Sequence, residues 1–222
     1  MFSDRTDYPR SFDEFAKQNN LNFPPAERTV FTSTLDKFIR CVKATGKNHP
    51  MDTFCGDLSH YFKVLTHLKM KDQYCLTYKT FGDIFGDSKP EISFDNIMID
   101  KSPEGAWEAV LLFALGDQFN LTGHAGYSQL CIVTDWRKFY SSRPADEVSG
   151  RSVCAEADMK TLSNWDIAPK VEINDDTATV YYCVFSAWYG FSKISQRVHF
   201  DTGVLDSPVT LAHVPYDCGI IF

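Results

Sequence analysis

The residues with the greatest chemical reach in this 222-residue chain are His124, Cys131 and Asp135. An imidazole, a thiol and a carboxylate are the parts of an activated nucleophile, its base and an orienting acid. His124 lies in Gly123-His124-Ala125-Gly126, where a helix is expected to give way to a strand. Connections of that kind often carry functional groups. No cysteine-enzyme motif surrounds Cys131, and the segment Gln129–Thr134 reads as a buried central strand, apolar on both faces. His124 reads more readily as a capping or turn residue whose ring is satisfied locally. A small hydrolase or transferase built on His124 with a cysteine or carboxylate partner is therefore carried as the alternative function rather than the first.

Other chemical patterns are missing or incomplete. His-Glu-x-x-His, Gly-x-Ser-x-Gly, Walker A and Gly-x-Gly-x-x-Gly do not occur. Asp83, Asp87 and Glu91 lack the alternation of a calcium loop. Seven cysteines are scattered with no Cys-x-x-Cys pair, the usage of reduced thiols rather than of disulfides or a zinc clip. Cys55 and His60 are five apart on one expected helix and point to different sides of it, while His60, Lys63 and His67 read as its solvated face. No metal and no cofactor are expected.

The stronger signal is for binding. Ala187-Trp188-Tyr189-Gly190-Phe191 places three large aromatics at an expected hairpin tip. Trp and Tyr are enriched where binding energy concentrates, and the same three rings could equally fold back and cap the core. The following strand puts Lys193, Arg197 and His199 on one side and Ile194, Val198 and Phe200 on the other. Its first side would be wet and cationic, the second buried. Trp188, Tyr189, Phe191, Lys193, Arg197 and His199 are therefore the candidate binding residues.

Charge narrows the partner. Lys and Arg total 22 against 29 Asp and Glu, a net charge of −7, and the densest basic stretch is only Trp136-Arg137-Lys138. Nucleic-acid binders carry a basic face, so nucleic acid is not the expected partner. A basic protein suits the sign better. The N-terminus lacks a basic-then-apolar leader, and the longest dense apolar run, Ala109–Leu115, is too short to span a bilayer. A cytoplasmic chain with no membrane association is expected. The first functional reading is thus a non-enzymatic protein-binding domain, such as an immunity or inhibitor protein that neutralises a toxin. A phage or structural assembly protein is a further alternative.

These residues must be positioned by one α+β domain over residues 1–222, helical to about 70, mixed over 71–140 and a β-meander over 165–222. Helices are expected at Ser11–Asn20, with Ser11 and Glu14 at capping-box spacing, from Pro24-Pro25 to Gly46, and from Asp52 to Leu68. Ser102-Pro103-Glu104 starts a helix to about Phe119 that is apolar most of the way round. Such a helix belongs at the centre of the fold. Short strands are expected at Gln73–Lys79 and Glu91–Ile99, and a surface loop from Tyr140 to Gly150. A short helix is expected near Val153–Leu162. Lys170–Asn174, Asp175-Asp176 and Thr177–Ala187 read as a hairpin, with further strands at Phe191–Phe200 and Val204–Val214. The apolar tail Ile220-Ile221-Phe222 is expected to tuck into the sheet.

Overall fold

The computed structural model describes residues 11–26, 28–45, 58–70, 97–116, 130–142 and 158–216. The glycine-flanked His124, the strand at Gln73–Lys79, the acidic residues between 83 and 91 and the C-terminal tail lie outside the described residues. The fold is α+β. In chain order its elements are α1 (Phe12–Gln18), α2 (Val30–Thr45), a 3-10 helix (Leu58–Lys63), β1 (Leu68–Met70), β2 (Ile97–Ile99) and α3 (Pro103–Gly116). There follow β3 (Cys131–Ile132), α4 (Trp136–Ser142), α5 (Met159–Leu162), β4 (Lys170–Asn174), β5 (Thr177–Ser186), β6 (Gly190–His199) and β7 (Val209–Val214).

Helix α3 sits at the centre, as its all-round apolar sequence requires. Ala106 to Leu112 are almost completely buried. One side of α3 packs on β4, β5 and β6; others meet α2 and the β1–β2 ribbon. Ser102 caps it, its hydroxyl accepting the Gly105 N–H at 3.0 Å. Gly105 is required by close approach: a Cβ there would lie 2.2 Å from the Asp100 carbonyl oxygen. Trp107 is fully buried, and its indole Nε1–H donates to the Phe31 carbonyl at 3.0 Å, which ties α3 to the start of α2.

The main sheet is antiparallel. β5 pairs along its whole length with β6, and β6 pairs with β7. The opposite edge of β5 is shared: β4 pairs with residues 177–181 and β3 with residues 184–185. Alternation along β5 splits the core. Ala178, Val180, Tyr182 and Val184 face the cluster around α3, while Cys183 and Phe185 face a second, aromatic cluster. That second cluster joins α1, α4, α5 and Phe191 of β6. Its rings pack closely, with Phe185–Phe191 centroids 4.6 Å apart and Phe139–Phe191 5.3 Å apart. On the α3 face one buried polar chain is complete. The Tyr182 hydroxyl donates to Gln196 at 3.0 Å, and Gln196 donates to the Asp206 carbonyl at 2.9 Å.

Several expectations are corrected. The helix expected from Pro24-Pro25 begins at Val30. Proline biases its predecessor towards extended backbone, and Thr29 supplies the cap, accepting the Thr32 N–H at 3.3 Å. The helix expected to Leu68 ends as a 3-10 helix at Lys63, and Leu68 opens β1 opposite Ile99. Tyr140 is not in a surface loop. It is buried in α4, where Trp136, Phe139 and Tyr140 share helical spacing. The segment around Cys131 is not central; β3 is two residues long and lies on an edge of the sheet. It is apolar on both sides because Ile132 joins the α3 cluster and its neighbour Val133 the aromatic one. The last strand starts at Val209, because Gln196 and the Arg197 carbonyl engage Asp206 just before it.

Placement of α3 is tested by Leu112→Ala. Leu112 is fully buried, so truncation should cost about 2–5 kcal/mol in urea unfolding. A loss below about 1 kcal/mol, the size expected where burial is incomplete, would contradict an enclosed α3.

Candidate functional site

The hairpin tip between β5 and β6 is built by local rules. Gly190 has φ of +87°, a conformation that side chains rarely adopt, and the Tyr189 N–H donates to the Ser186 hydroxyl at 3.1 Å. A Cβ on Gly190 would lie 2.3 Å from the Val214 carbonyl oxygen, so the tip rests directly against the end of β7. Tyr189 is 62% exposed and Trp188 37%. Phe191, grouped with them by sequence, is wholly buried in the aromatic cluster. It shares the face of Lys193 and Arg197, but near the tip α4 covers that face with Trp136 and Phe139, so Phe191 supports the tip and offers no surface of its own.

The outer strand β7 exposes apolar side chains as well. Val209 is 58% exposed and Leu211 54%. The register slips between Lys193 and Ile194, so Leu211 is an extra residue in β7. A bulge of this kind bends an edge and re-aims side chains. Eight large hydrophobic residues are exposed among the described residues. Four of them fall on the tip (Trp188 and Tyr189) and on β7 (Val209 and Leu211).

The wet side of β6 is as the alternation implies, but its charge is mixed. Arg197 is exposed, and Lys193 and His199 are half-buried. His199 Nε2 lies 3.1 Å from Asp206 Oδ1. On the same side, Tyr181 donates to Glu172 at 3.1 Å, and Glu172 lies opposite Thr179, itself opposite Arg197. Lys170 pairs with Asp166. These carboxylates came from β4 and the loops, which strand alternation in β6 alone could not reveal.

Of the nucleophile set, two members are described. Asp135 Oδ1 accepts the backbone N–H groups of Arg137 at 2.8 Å and Lys138 at 3.3 Å, capping α4. Cys131 is half-buried beside Phe185 on the sheet edge, packed against the aromatic cluster. Cys183 is deeply buried, and desolvation pushes its thiol up to about 12, so it stays protonated. The basic stretch Arg137-Lys138 is neutralised, Arg137 by Asp13 at 3.0 Å and Lys138 by Asp36.

Sequence reading missed a cleft of about 550 Å³ between α2, the 3-10 helix and α3. Lys63 and His67, read as a solvated face, line it together with Lys37 and Arg40 of α2. At its α3 wall stands Glu108, only 2% exposed. Its Oε2 accepts the His67 N–H at 2.7 Å, and the Thr66 N–H also approaches it. The signal was present as one carboxylate within an otherwise apolar helix, a group that burial forces to find donors. Comparison with protein-family models, with curated proteins and with solved structures finds no match.

Burial raises the Glu108 carboxyl above its ordinary value of 4.5, against the partial opposition of those N–H groups and of His67. The folded state then holds this proton more tightly than the unfolded chain. Its contribution to stability is greatest below the ordinary value and falls as pH rises through the raised one. Glu108→Gln keeps an acceptor and removes the titration. Unfolding free energies from urea titrations should fall less steeply from about pH 5 to about pH 8 in the variant than in the wild type. Parallel profiles would show that Glu108 does not set the pH response.

Proposed function

We propose that this chain is a protein-binding domain that engages a basic partner through the β5–β6 tip and the β7 edge. The observation that carries this reading is the gathering of exposed apolar side chains there: Tyr189 and Trp188 at the tip, Val209 and Leu211 along β7. Scattered exposed apolar residues are ordinary, whereas a gathered set rimmed by polar groups marks an interaction surface. The aromatics are held by a fixed turn against β7, so little ordering is lost on binding. The net charge of −7 favours a basic partner. Neutralisation of a toxin by stoichiometric binding is the form of this function that fits a small acidic domain.

Capture from extracts of the native host tests the reading when matched variants are compared. A partner held by the wild type should be lost with Tyr189→Ala and Leu211→Asp, each costing about 2 kcal/mol or more of binding. Ile173→Asp, on β4 at the other edge, and His124→Ala should leave it bound. The association rate should fall as salt rises, since the Debye length shrinks from about 10 Å at 0.1 M to about 3 Å at 1 M. A partner indifferent to Tyr189 and Leu211 but lost with His124→Ala would overturn the reading in favour of an enzyme. Self-association abolished by Leu211→Asp would instead favour an assembly protein.

A further inference from the structure

We propose that the cleft between α2, the 3-10 helix and α3 binds a small soluble phosphate monoester, its phosphate among Lys37, Arg40 and Lys63 and its organic part against Val30 and Val64. What sets these three cations apart is that they line one cleft with no ion pair of their own among the described residues. Lys69, Lys101, Arg137, Lys138 and Lys170 each have a carboxylate partner, Asp100, Asp176, Asp13, Asp36 and Asp166 in turn. Among the described residues no ion pair engages Lys37, Arg40 or Lys63, yet all three line one concavity of a chain with net charge −7. Carboxylates outnumber cations in this protein, so three cations gathered in one cleft with no ion pair among the described residues mark a place suited to an anion.

The chemistry of the wall agrees. Arg40 offers a planar fork that matches phosphate oxygens, and two ammonium groups add point charge. Thr34 of α2 and Thr66 of the facing turn add hydroxyl donors to the lining. Two carboxylates also line the cleft. Glu108 is turned to the backbone N–H groups of residues 66 and 67, and Glu104 stands at the first turn of α3. His67 Nδ1 lies 3.6 Å from Asp100 Oδ2, which takes that imidazole out of the balance. The cations that remain exceed the carboxylates by one, a balance that favours an anion. The volume of about 550 Å³ exceeds what a bare phosphate fills and lies in the range of small-molecule sites, roughly 300–1,000 Å³. Val30, half-exposed at the start of α2, and Val64 supply apolar surface for the remainder of the ligand.

Phenyl phosphate is the probe, titrated by calorimetry and by amide shifts in NMR, with phenol as the neutral control. The wild type should bind phenyl phosphate and not phenol, with shifts at Thr34, Lys37, Arg40 and Thr66. Lys37→Ala and Arg40→Ala should each weaken binding about tenfold or more, the size expected for a hydrogen bond to a charged group. Lys37→Glu with Lys63→Glu should abolish it. All these side chains are exposed or line an open cleft, and an unchanged melting temperature confirms that each variant is folded. Failure of the wild type to bind at millimolar probe, equal binding of phenol, or undiminished binding by the double charge reversal would each overturn the proposal. Sedimentation with phosphatidic-acid vesicles without binding of phenyl phosphate would place the phosphate on a lipid surface and overturn a soluble ligand.

Discussion

Enclosing α3 is the constraint on which the rest of the structure depends. Its residues Ala106–Leu112 are apolar around most of the helix except for Glu108, so no single contact surface can bury them. The sheet covers one side, and α2 with the β1–β2 ribbon covers others. Two polar groups are carried into the interior with it, and each dictates a local structure. The Trp107 indole needs an acceptor and takes the Phe31 carbonyl at the first turn of α2. The Glu108 carboxylate needs donors and takes the N–H groups of residues 66 and 67, ending the 3-10 helix in a turn. Unpartnered, either group would cost a sizeable part of a domain's net stability. The cleft follows from that solution: the turn that serves Glu108 is also the wall facing Lys37 and Arg40.

The sheet solves a different problem. Its long central pair, β5 and β6, is buried on both faces near the hairpin tip and on one face elsewhere. The second face is covered by short helices that bring aromatic rings, with Phe139, Phe185 and Phe191 in mutual contact. Large rings let small elements bury much area, and edge contacts between them add directionality. Covering stops before β7, whose Val209 and Leu211 remain outside, and before the tip, whose Tyr189 projects beyond Phe191. Aromatic packing thus lies directly beneath the tip, and the turn that carries Tyr189 is held against it.

Much was legible in the sequence where one local rule decided the outcome. The α+β class, the central helix from Pro103, the Ser11 cap of α1, the hairpin across Asp175-Asp176 and the alternation along β6 all follow from periodicity and capping. The exposed tip residues Trp188 and Tyr189 were legible because a glycine requiring positive φ marks the turn. The short α4 was also legible in the spacing of Trp136, Phe139 and Tyr140, a signal that its seven residues made easy to read as a loop.

What only tertiary structure decided is which groups from distant segments meet. Periodicity says that a strand is apolar on both faces; it does not say whether hydrogen-bonded neighbours or packed helices cover it, and so β3 lies at an edge. It says that Phe191 and Tyr189 are aromatics near a turn, while the docking of α4 on the sheet buries Phe191 and leaves Tyr189 outside. It marks Lys63 as polar, while the docking of α2 beside the 3-10 helix sets it facing Lys37 and Arg40. Local backbone preference acts over a few residues, so the sequence determined the elements and their apolar faces. Charge neighbourhoods and concavities depend on contacts between residues far apart in the chain, and those existed only once α3 had been enclosed.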